Sequence, residues 1–388
     1  VFDTESGEPL ALISNYSIDE GDSAYTGLSS FAGFYEFYDN PLAIESSEIF
    51  PLSMGESHEG EIDLSSVTNI FKLILQEGDE IRIDLEGLDT NKGSLIDPIL
   101  KGIYDGNGDL IAETSNDDNG VGRNAQTVFI AETAGDYFIE VGGYDAELGR
   151  YTLSVNATAD FESSLVTNTV VLGDSYIGEI ESASETHWLK IAAEEGEEIR
   201  IDLEGVDTNQ GTLTDTILKG IYDDRGMLVE KSENDDGGIG LNSQTVFTAK
   251  TAGNYFIEVG AYDSEIGSYT LSAHPTADFE SSLVINPVIV GSDYVGEIES
   301  ASATDWLKIS VAAGEEIRID LEGMDTDKGT LTDTILKGIY DSSGLLLVNT
   351  ENDDGGVGLN SQTVFTAKTA GDYFIEVGAY GSEMGSYT

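Results

Sequence analysis

The 388-residue chain contains no cysteine, three histidines, and only 17 Lys and Arg against 74 Asp and Glu. The absence of cysteine excludes disulfides, thiolate metal ligands and cysteine nucleophiles. No run approaches the ~18 consecutive apolar residues of a transmembrane helix, so we expect no membrane insertion. The chain begins Val-Phe-Asp without a basic and apolar leader, as expected of a mature product or a fragment.

The shortage of basic residues leaves a formal net charge of −57. Such a chain is repelled by nucleic acid and by anionic membranes, so we expect neither as a partner. Regular alternation of Val, Ile, Phe and Tyr with polar residues excludes disorder. A surface adapted to salt and the binding of divalent cations remain as compatible explanations of the charge.

An acidic stretch recurs three times at a spacing of 118 residues. Asn-Asp-Asp-Gly-Gly occupies residues 234–238 and 352–356, and Asn-Asp-Asp-Asn-Gly occupies residues 116–120. A unit of this size is typical of one domain. The repeat therefore predicts an N-terminal segment at residues 1–40 and three modules at 41–157, 158–274 and 275–388. The N-terminal segment is either the final strand of a preceding module or an irregular cap.

Each module carries short alternating apolar runs separated by Gly, Asp and Asn turns. Alternation in residues 81–85 places Ile81, Ile83 and Leu85 on a core face, with Arg82 and Asp84 outward. About eight such runs, without a helical period, predict an all-β fold of tandem antiparallel, jelly-roll-like β-sandwiches. The chain stops where the last strand of the third module begins, so that module is expected to lack most of one strand.

The third module holds an ordered series of motifs that resembles the bacterial pre-peptidase C-terminal (PPC) domain. The series comprises Asp-Trp-Leu-Lys at 305–308, Asp-Leu-Glu-Gly at 320–323, Thr-Leu-Thr-Asp at 330–333, Gly-Ile-Tyr-Asp at 338–341, the acidic stretch, and Gly-Asp-Tyr-Phe-Ile-Glu-Val at 371–377. The modules depart from the family in having Thr216 and Thr334 where Pro98 follows Asp97, and Ile70 in place of Trp188 and Trp306. The resemblance implies three tandem secreted or cell-surface domains of a bacterium or archaeon, calcium-binding in some members and commonly attached to peptidases, adhesins or repeat proteins. It does not imply catalysis.

Adjacent aspartates beside glycines repel each other, and a bound cation is a common reason for a folded chain to keep them. Calcium prefers six to eight oxygen ligands, and five acids recur together in the loops on either side of one strand. The candidate Ca²⁺ ligands are Glu86, Asp89, Asp97, Asp117 and Asp118; Glu204, Asp207, Asp215, Asp235 and Asp236; and Glu322, Asp325, Asp333, Asp353 and Asp354. The Asp pair and the Asp upstream of it are the strongest candidates. The alternative is an Asx turn whose side chains cap backbone amides.

Other functional patterns are weak. His58, His187 and His274 have no histidine counterpart one repeat away, so a repeated Ser-His-Asp site is excluded and no catalytic residue is predicted. Tyr104, Tyr222 and Tyr340 are expected in the core. The loop tyrosines Tyr144, Tyr262 and Tyr380 could form a binding edge, although packing within the turn is the favoured interpretation.

These observations predict a non-catalytic, calcium-stabilised extracellular repeat protein, either a surface stalk or an adhesive filament subunit. The first alternative is an accessory substrate-binding region of a secreted peptidase or other hydrolase. The second is a module that binds an extracellular protein or glycan, which requires an exposed aromatic patch. A further hypothesis is head-to-tail self-association, in which the aromatic run at residues 31–38 of one molecule completes the third module of another.

Overall fold

The computed structural model describes residues 49–63, 68–301 and 303–388. The described part is almost entirely β. Module 1 contains β1 (Ile49–Pro51), β2 (Glu56–Ile62), β3 (Thr68–Leu75), β4 (Glu80–Glu86), β5 (Pro98–Tyr104), β6 (Ala125–Ile130), β7 (Gly135–Gly143) and β8 (Gly149–Ala157). Module 2 contains β9 (Thr167–Thr169), β10 (Ser175–Ile180), β11 (His187–Ala193), β12 (Glu198–Glu204), β13 (Thr216–Tyr222), β14 (Ser243–Thr248), β15 (Gly253–Ala261) and β16 (Gly267–Pro275).

Module 3 repeats the same order. Its strands are β17 (Ile285–Pro287), β18 (Gly296–Ile298), β19 (Asp305–Val311), β20 (Glu316–Leu321), β21 (Thr334–Tyr340), β22 (Ser361–Thr366), β23 (Gly371–Ala379) and β24 (Gly385–Tyr387). Two single-turn helices, α1 (Phe161–Ser164) and α2 (Phe279–Ser282), lie in the connections between modules. Short 3₁₀ turns occur at Leu88–Thr90, Tyr144–Ala146, Thr158–Asp160, Val206–Thr208, Thr276–Asp278 and Met324–Thr326. No helix in the described ranges is both long and apolar enough to cross a bilayer.

Each of the first two modules is a sandwich of two four-stranded sheets. The sheet orders in module 1 are β1-β3-β7-β5 and β2-β8-β4-β6, and those in module 2 are β9-β11-β15-β13 and β10-β16-β12-β14. From β2 to β8, successive strands alternate between the two sheets, which is the jelly-roll-like arrangement predicted. The pairing is antiparallel except that β1 and β9 run parallel to β3 and β11. After β5 the chain turns back, and Leu110 makes an isolated bridge to Tyr104 without forming a strand.

The alternating pattern of β4 is confirmed in the packing. Ile81, Ile83 and Leu85 are at most 1% exposed and form the core between the sheets. Arg82 and Asp84 lie on the opposite face, as predicted. Asp84 is nevertheless buried, because residues of module 2 cover that face.

The last strand of module 3 is short. β24 pairs only with β18, and β20 pairs only with β22, so the second sheet is divided into two pairs of strands. Ile319 on β20 is consequently only partly buried, whereas its counterparts Ile83 and Ile201 are fully buried. Completion of this edge by residues 31–38 of a neighbour stays a prediction, since those residues lie outside the described ranges.

A tyrosine from the last strand closes each sandwich. Tyr151, Tyr269 and Tyr387 are each 1% exposed. Their hydroxyl groups lie 2.7 Å from Asn69 Nδ2, 2.8 Å from His187 Nδ1 and 2.7 Å from Asp305 Oδ2. Each ring covers a glycine of the neighbouring strand: Gly60, Gly178 and Gly296. His187 is therefore part of this structural contact.

The contact between the tyrosine and the glycine gives the first prediction. A Cβ atom at residue 178 would overlap the Tyr269 ring, so Gly178→Ala should lower the free energy of unfolding of module 2 by about 1–3 kcal/mol. Differential scanning calorimetry measures this change. Gly253→Ala is the matched control, because the only atom near its Cβ would be Asp224 Oδ2 at 3.6 Å. Equal melting temperatures for the two variants would contradict the predicted overlap.

Candidate metal centre

Three aspartates converge at one end of module 2. Asp215 immediately precedes β13, and Asp235 and Asp236 lie in the loop between β13 and β14. One carboxylate oxygen from each lies within 4.8 Å of the others. Asp333, Asp353 and Asp354 form the same cluster in module 3. The strongest candidates from the sequence are therefore brought together in these two modules.

Several of these aspartates, although half-buried or exposed as residues, have one carboxylate oxygen that is buried without a hydrogen-bond partner. Oδ1 of Asp215 and Oδ1 of Asp235 are both in this state, as are Oδ1 of Asp97 and Oδ1 of Asp333 in the other modules. A buried, unpaired carboxylate oxygen is costly, since it has lost water and gained nothing in exchange. Such atoms in a native fold indicate a further partner, and a bound ion is one such partner.

A glutamate that was not predicted from the sequence lies near the same cluster, since its charge helps to raise the pKa of Asp215. Glu265 lies in the connection from β15 to β16, and its Oε2 is buried and unpaired, as is Oε2 of Glu147. In module 3 the backbone N–H of Asp333 donates to Oε2 of Glu383 at 3.1 Å. These glutamates recur at the 118-residue spacing. That recurrence is the signal that could have identified them.

The electrostatics of the cluster are those of negative charges held together. Burial, and then the charges of Asp235, Asp236 and Glu265, raise the pKa of Asp215 to about 6. Burial, followed by the two downstream aspartates, likewise raises the pKa of Asp333. The shift at Asp215 has no cation among its causes. The folded chain thus concentrates negative charge that it does not neutralise itself.

Hydrogen bonds from uncharged side chains anchor the two ends of the acidic loop. Asn242 Oδ1 accepts from the Gly205 N–H at 2.8 Å. Ser243 Oγ donates to the carbonyl of Asp235 at 2.9 Å. Asn234 Oδ1 accepts from the N–H groups of Gly237 and Gln244. The Asx turn considered as an alternative therefore exists, but the asparagine makes it and the aspartates remain available.

Asp207 and its counterparts accept hydrogen bonds from the backbone of the acidic loop. Asp207 Oδ2 accepts from the Leu241 N–H at 2.8 Å, and Asp325 Oδ2 accepts from the Leu359 N–H at 2.7 Å. Asp89 makes the same bond to the N–H of Arg123. The charge of Asp207 still contributes to the raised pKa of Asp215. These aspartates border the cluster and hold the far end of the acidic loop.

The structure places the candidate glutamates outside the cluster. Glu86 forms an ion pair with Lys92 at 2.7 Å, and Glu322 forms one with Lys328 at 3.4 Å. Glu204 lines the cleft between modules 2 and 3, where burial raises its pKa. The sequence prediction grouped these glutamates with the aspartates because they share a loop. Their position at the end of a strand directs them to a different surface.

Module 1 has a modified version of the cluster. In the described residues, the carboxylate oxygens of Asp97, Asp117 and Asp118 do not all lie within 4.8 Å of one another, as those of the other two sets do. Arg123 stands where modules 2 and 3 have leucine, and its charge lowers the pKa of Asp97 against the larger effect of burial. Ala125 and Pro98 also replace Ser243 and Thr216, whose hydroxyl groups hydrogen-bond beside the acidic loop in module 2.

The two sets of tyrosines differ in exposure. Tyr104, Tyr222 and Tyr340 are 6–8% exposed, so their predicted burial is confirmed. The loop residues Tyr144, Tyr262 and Tyr380 are 51–57% exposed, and the favoured interpretation of packing within the turn is therefore wrong. The N–H of Tyr262 donates to the carbonyl of Asp215 at 3.2 Å, which places this loop beside the acidic cluster.

The donor set consists only of oxygens. Carboxylates at this spacing suit a hard divalent cation and not a metal that prefers thiolate or imidazole. Asp215, Asp235, Asp236 and Glu265 in module 2 supply several of the oxygens that calcium requires, and the buried unpaired atoms are the ones a cation would contact. The residues present therefore fit a bound calcium ion.

Comparisons with known proteins concern the fold. No family model and no curated protein matches the chain. It is similar to the structure of the pre-peptidase C-terminal domain of collagenase from Bacillus anthracis, with 17% identity and a TM-score of 0.23, covering 28% of this chain and 95% of that one. It is also similar to the CUB1-EGF-CUB2 region of human MASP-1/3, with 7% identity and a TM-score of 0.15, covering 56% of this chain and 99% of that one.

The acidic cluster predicts that one substitution stabilises module 2 when calcium is absent and destabilises it when calcium is present. With a chelator at pH 7, Asp215→Asn should raise the melting temperature of module 2, because it removes a charge from a repelling group. In calcium, the same change should weaken binding at least ~10-fold, or about 1.4 kcal/mol, and lower the melting temperature relative to wild type. Asp224→Asn removes the charge of an exposed aspartate and is the control for net charge.

The pH dependence of the same variant has a defined sign. The pKa of Asp215 rises from 3.8 to about 6 on folding, so the folded chain binds this proton more tightly than the unfolded chain. The stability of the metal-free wild type is therefore highest below pH 4 with respect to this group, and it falls as the pH rises through about 6. The chelator-treated variant should lack this decline. Parallel pH profiles for wild type and variant would contradict the electrostatic account.

Proposed function

We propose that each module binds calcium through the aspartate cluster and that the chain is a non-catalytic, calcium-stabilised repeat protein. The observation that carries the proposal is the group of buried, unpaired carboxylate oxygens at Asp215, Asp235 and Glu265, with the same kind of atom at Asp97, Glu147 and Asp333. The proposed ligands are Asp97, Asp117, Asp118 and Glu147; Asp215, Asp235, Asp236 and Glu265; and Asp333, Asp353, Asp354 and Glu383.

Calcium is favoured over magnesium for a structural reason. Magnesium demands near-octahedral geometry and retains several waters, whereas calcium accepts more oxygens in irregular arrangements. Carboxylates from three separate connections in one module form an irregular donor set. In module 1 the charge of Arg123 acts on Asp97, so the acidic cluster there is less negative and its affinity for calcium should be lower than that of the clusters in modules 2 and 3.

The proposed biological role is structural or adhesive, in a secreted or cell-surface protein. Calcium sites of extracellular modules commonly have dissociation constants of about 10⁻⁴–10⁻³ M, a range in which extracellular calcium fills the site. Tandem domains of PPC-like fold, free of cysteine, would then gain from the metal the stability that disulfides provide in other secreted domains.

A second candidate is an accessory region that binds a substrate or surface for a secreted hydrolase. The observation that favours it is the exposed tyrosine repeated beside each acidic cluster, at Tyr144, Tyr262 and Tyr380. An amphipathic aromatic side chain that stays exposed is a common anchor for a protein or glycan ligand. Three copies on one chain would bind an extended polymer with increased avidity.

Thermal unfolding with calcium and with a chelator tests the first proposal. In high monovalent salt, calcium at about 100 times its dissociation constant should stabilise each module by about 2.7 kcal/mol, and magnesium at equal concentration should stabilise it less. The high salt keeps screening constant. Equal melting temperatures in calcium and chelator would contradict the proposal, and the acids would then be solvated surface.

Retention on insoluble polymers tests the second candidate. Wild type should bind to fibrillar collagen or to chitin, and the triple variant Tyr144→Ala, Tyr262→Ala and Tyr380→Ala should bind roughly tenfold more weakly. The variant should melt like wild type, since these side chains are exposed. Val284→Ala, at another exposed apolar side chain, is the control. Absence of wild-type retention on both polymers would count against this candidate.

A further inference from the structure

The acidic loop of one module also contacts the next module. Directly after Gly238, Ile239 packs against the aromatic cluster of module 3 that contains Phe279, Tyr340 and Phe374. At the preceding junction, Val121 packs in the same way against the cluster containing Phe161. The residue after each one is a glycine, and the Gly122 N–H donates to Oε1 of Glu233 in module 2 at 3.3 Å.

A second group of contacts at each junction comes from the strands. The Arg200 guanidinium lies 4.9 Å from the centre of the Phe279 ring, and its Nη1 donates to the carbonyl of Gly344 at 3.3 Å. The N–H of Leu346 donates to Oε1 of Gln244 at 2.8 Å. Arg82, Gln126 and their partners repeat these contacts between modules 1 and 2.

The two groups of contacts respond differently to the charge of the metal site. Arg200 on β12 and Gln244 on β14 belong to two hydrogen-bonded strands, and this pairing holds them in place. Ile239 lies three residues beyond Asp236, on a loop whose carboxylates repel one another. Charge repulsion between Asp215, Asp235 and Asp236 therefore acts directly on the segment that holds Ile239 against module 3.

We propose that calcium bound by one module fixes the orientation of the next module, because it orders the acidic loop that carries Ile239 or Val121 into the neighbouring aromatic cluster. This inference rests on the proposed calcium site and adds a consequence for the junction. With calcium, both groups of contacts hold each junction. Without it, the contact between the arginine and the phenylalanine remains as a pivot, and the range of angles between modules widens.

A pair of spin labels tests the proposal on the full chain. The chain has no cysteine, so Glu195→Cys and Ala313→Cys provide two unique labelling sites. Both residues are exposed and occupy equivalent positions in modules 2 and 3. Double electron–electron resonance should show a distance distribution that narrows roughly twofold when calcium replaces chelator. Circular dichroism and thermal unfolding of the same samples report the fold and the metal binding separately.

A substitution in the loop separates junction order from metal binding. Ile239→Ser should retain the calcium-dependent rise in melting temperature of the modules, while its distance distribution stays broad in calcium. Leu241→Ser is the matched control, because Leu241 lies in the same loop but its side chain is exposed and outside the aromatic cluster. In calcium, the distance distribution of this control should narrow as that of wild type does.

The outcomes distinguish this inference from the proposal beneath it. The inference is supported if calcium narrows the distance distribution in wild type and in Leu241→Ser but not in Ile239→Ser. A calcium-dependent rise in melting temperature with an unchanged distance distribution in wild type overturns the inference and leaves the metal site standing. Absence of both changes overturns the metal site and the inference together.

Discussion

Modules 2 and 3 hold together carboxylates whose mutual repulsion the neighbouring residues do not relieve. Three aspartates meet at one end of the sandwich in module 2, the charge of Glu265 acts on them from a third connection, and several of these residues have an oxygen that is buried without a partner. Bringing like charges out of water raises the free energy of the folded state. The well-formed core beneath, in which Ile199, Ile201 and Leu203 are fully buried, supplies the stability that tolerates this arrangement.

Uncharged groups hold the charged ones in place. Asn242, Ser243 and Thr216 hydrogen-bond to backbone and to one another within the sandwich, so that the aspartates need not serve as caps. Module 1 lacks both hydroxyl groups and has Arg123 nearby. Module 1 therefore differs from modules 2 and 3 at this end of the sandwich, whereas the order of the strands and the burial of the closing tyrosine are common to all three modules.

Sequence patterns predicted the sandwich and most of its strands because alternation and repetition depend on local chemistry. Ile81, Ile83 and Leu85 are buried as their spacing indicates. The same patterns brought together Asp215, Asp235 and Asp236, which stand close to one strand. They missed Glu265, because its connection is distant in sequence, and they misplaced Glu204, because the end of a strand determines which surface its side chain faces. The exposure of Tyr262 and the contact of Ile239 depend on neighbouring elements that no local pattern reports.

The junction contacts constrain how such a chain can change in length. Arg82 and Gly226 are separated by 144 positions, and so are Arg200 and Gly344. Gln126 and Leu228 share a separation of 102 positions with Gln244 and Leu346. A duplication or deletion of one whole period, wherever its ends fall, preserves every one of these pairings. An insertion of another length between the paired residues places a different residue opposite each arginine. Genes for chains of this kind can therefore gain or lose whole modules by recombination without a new interface having to arise.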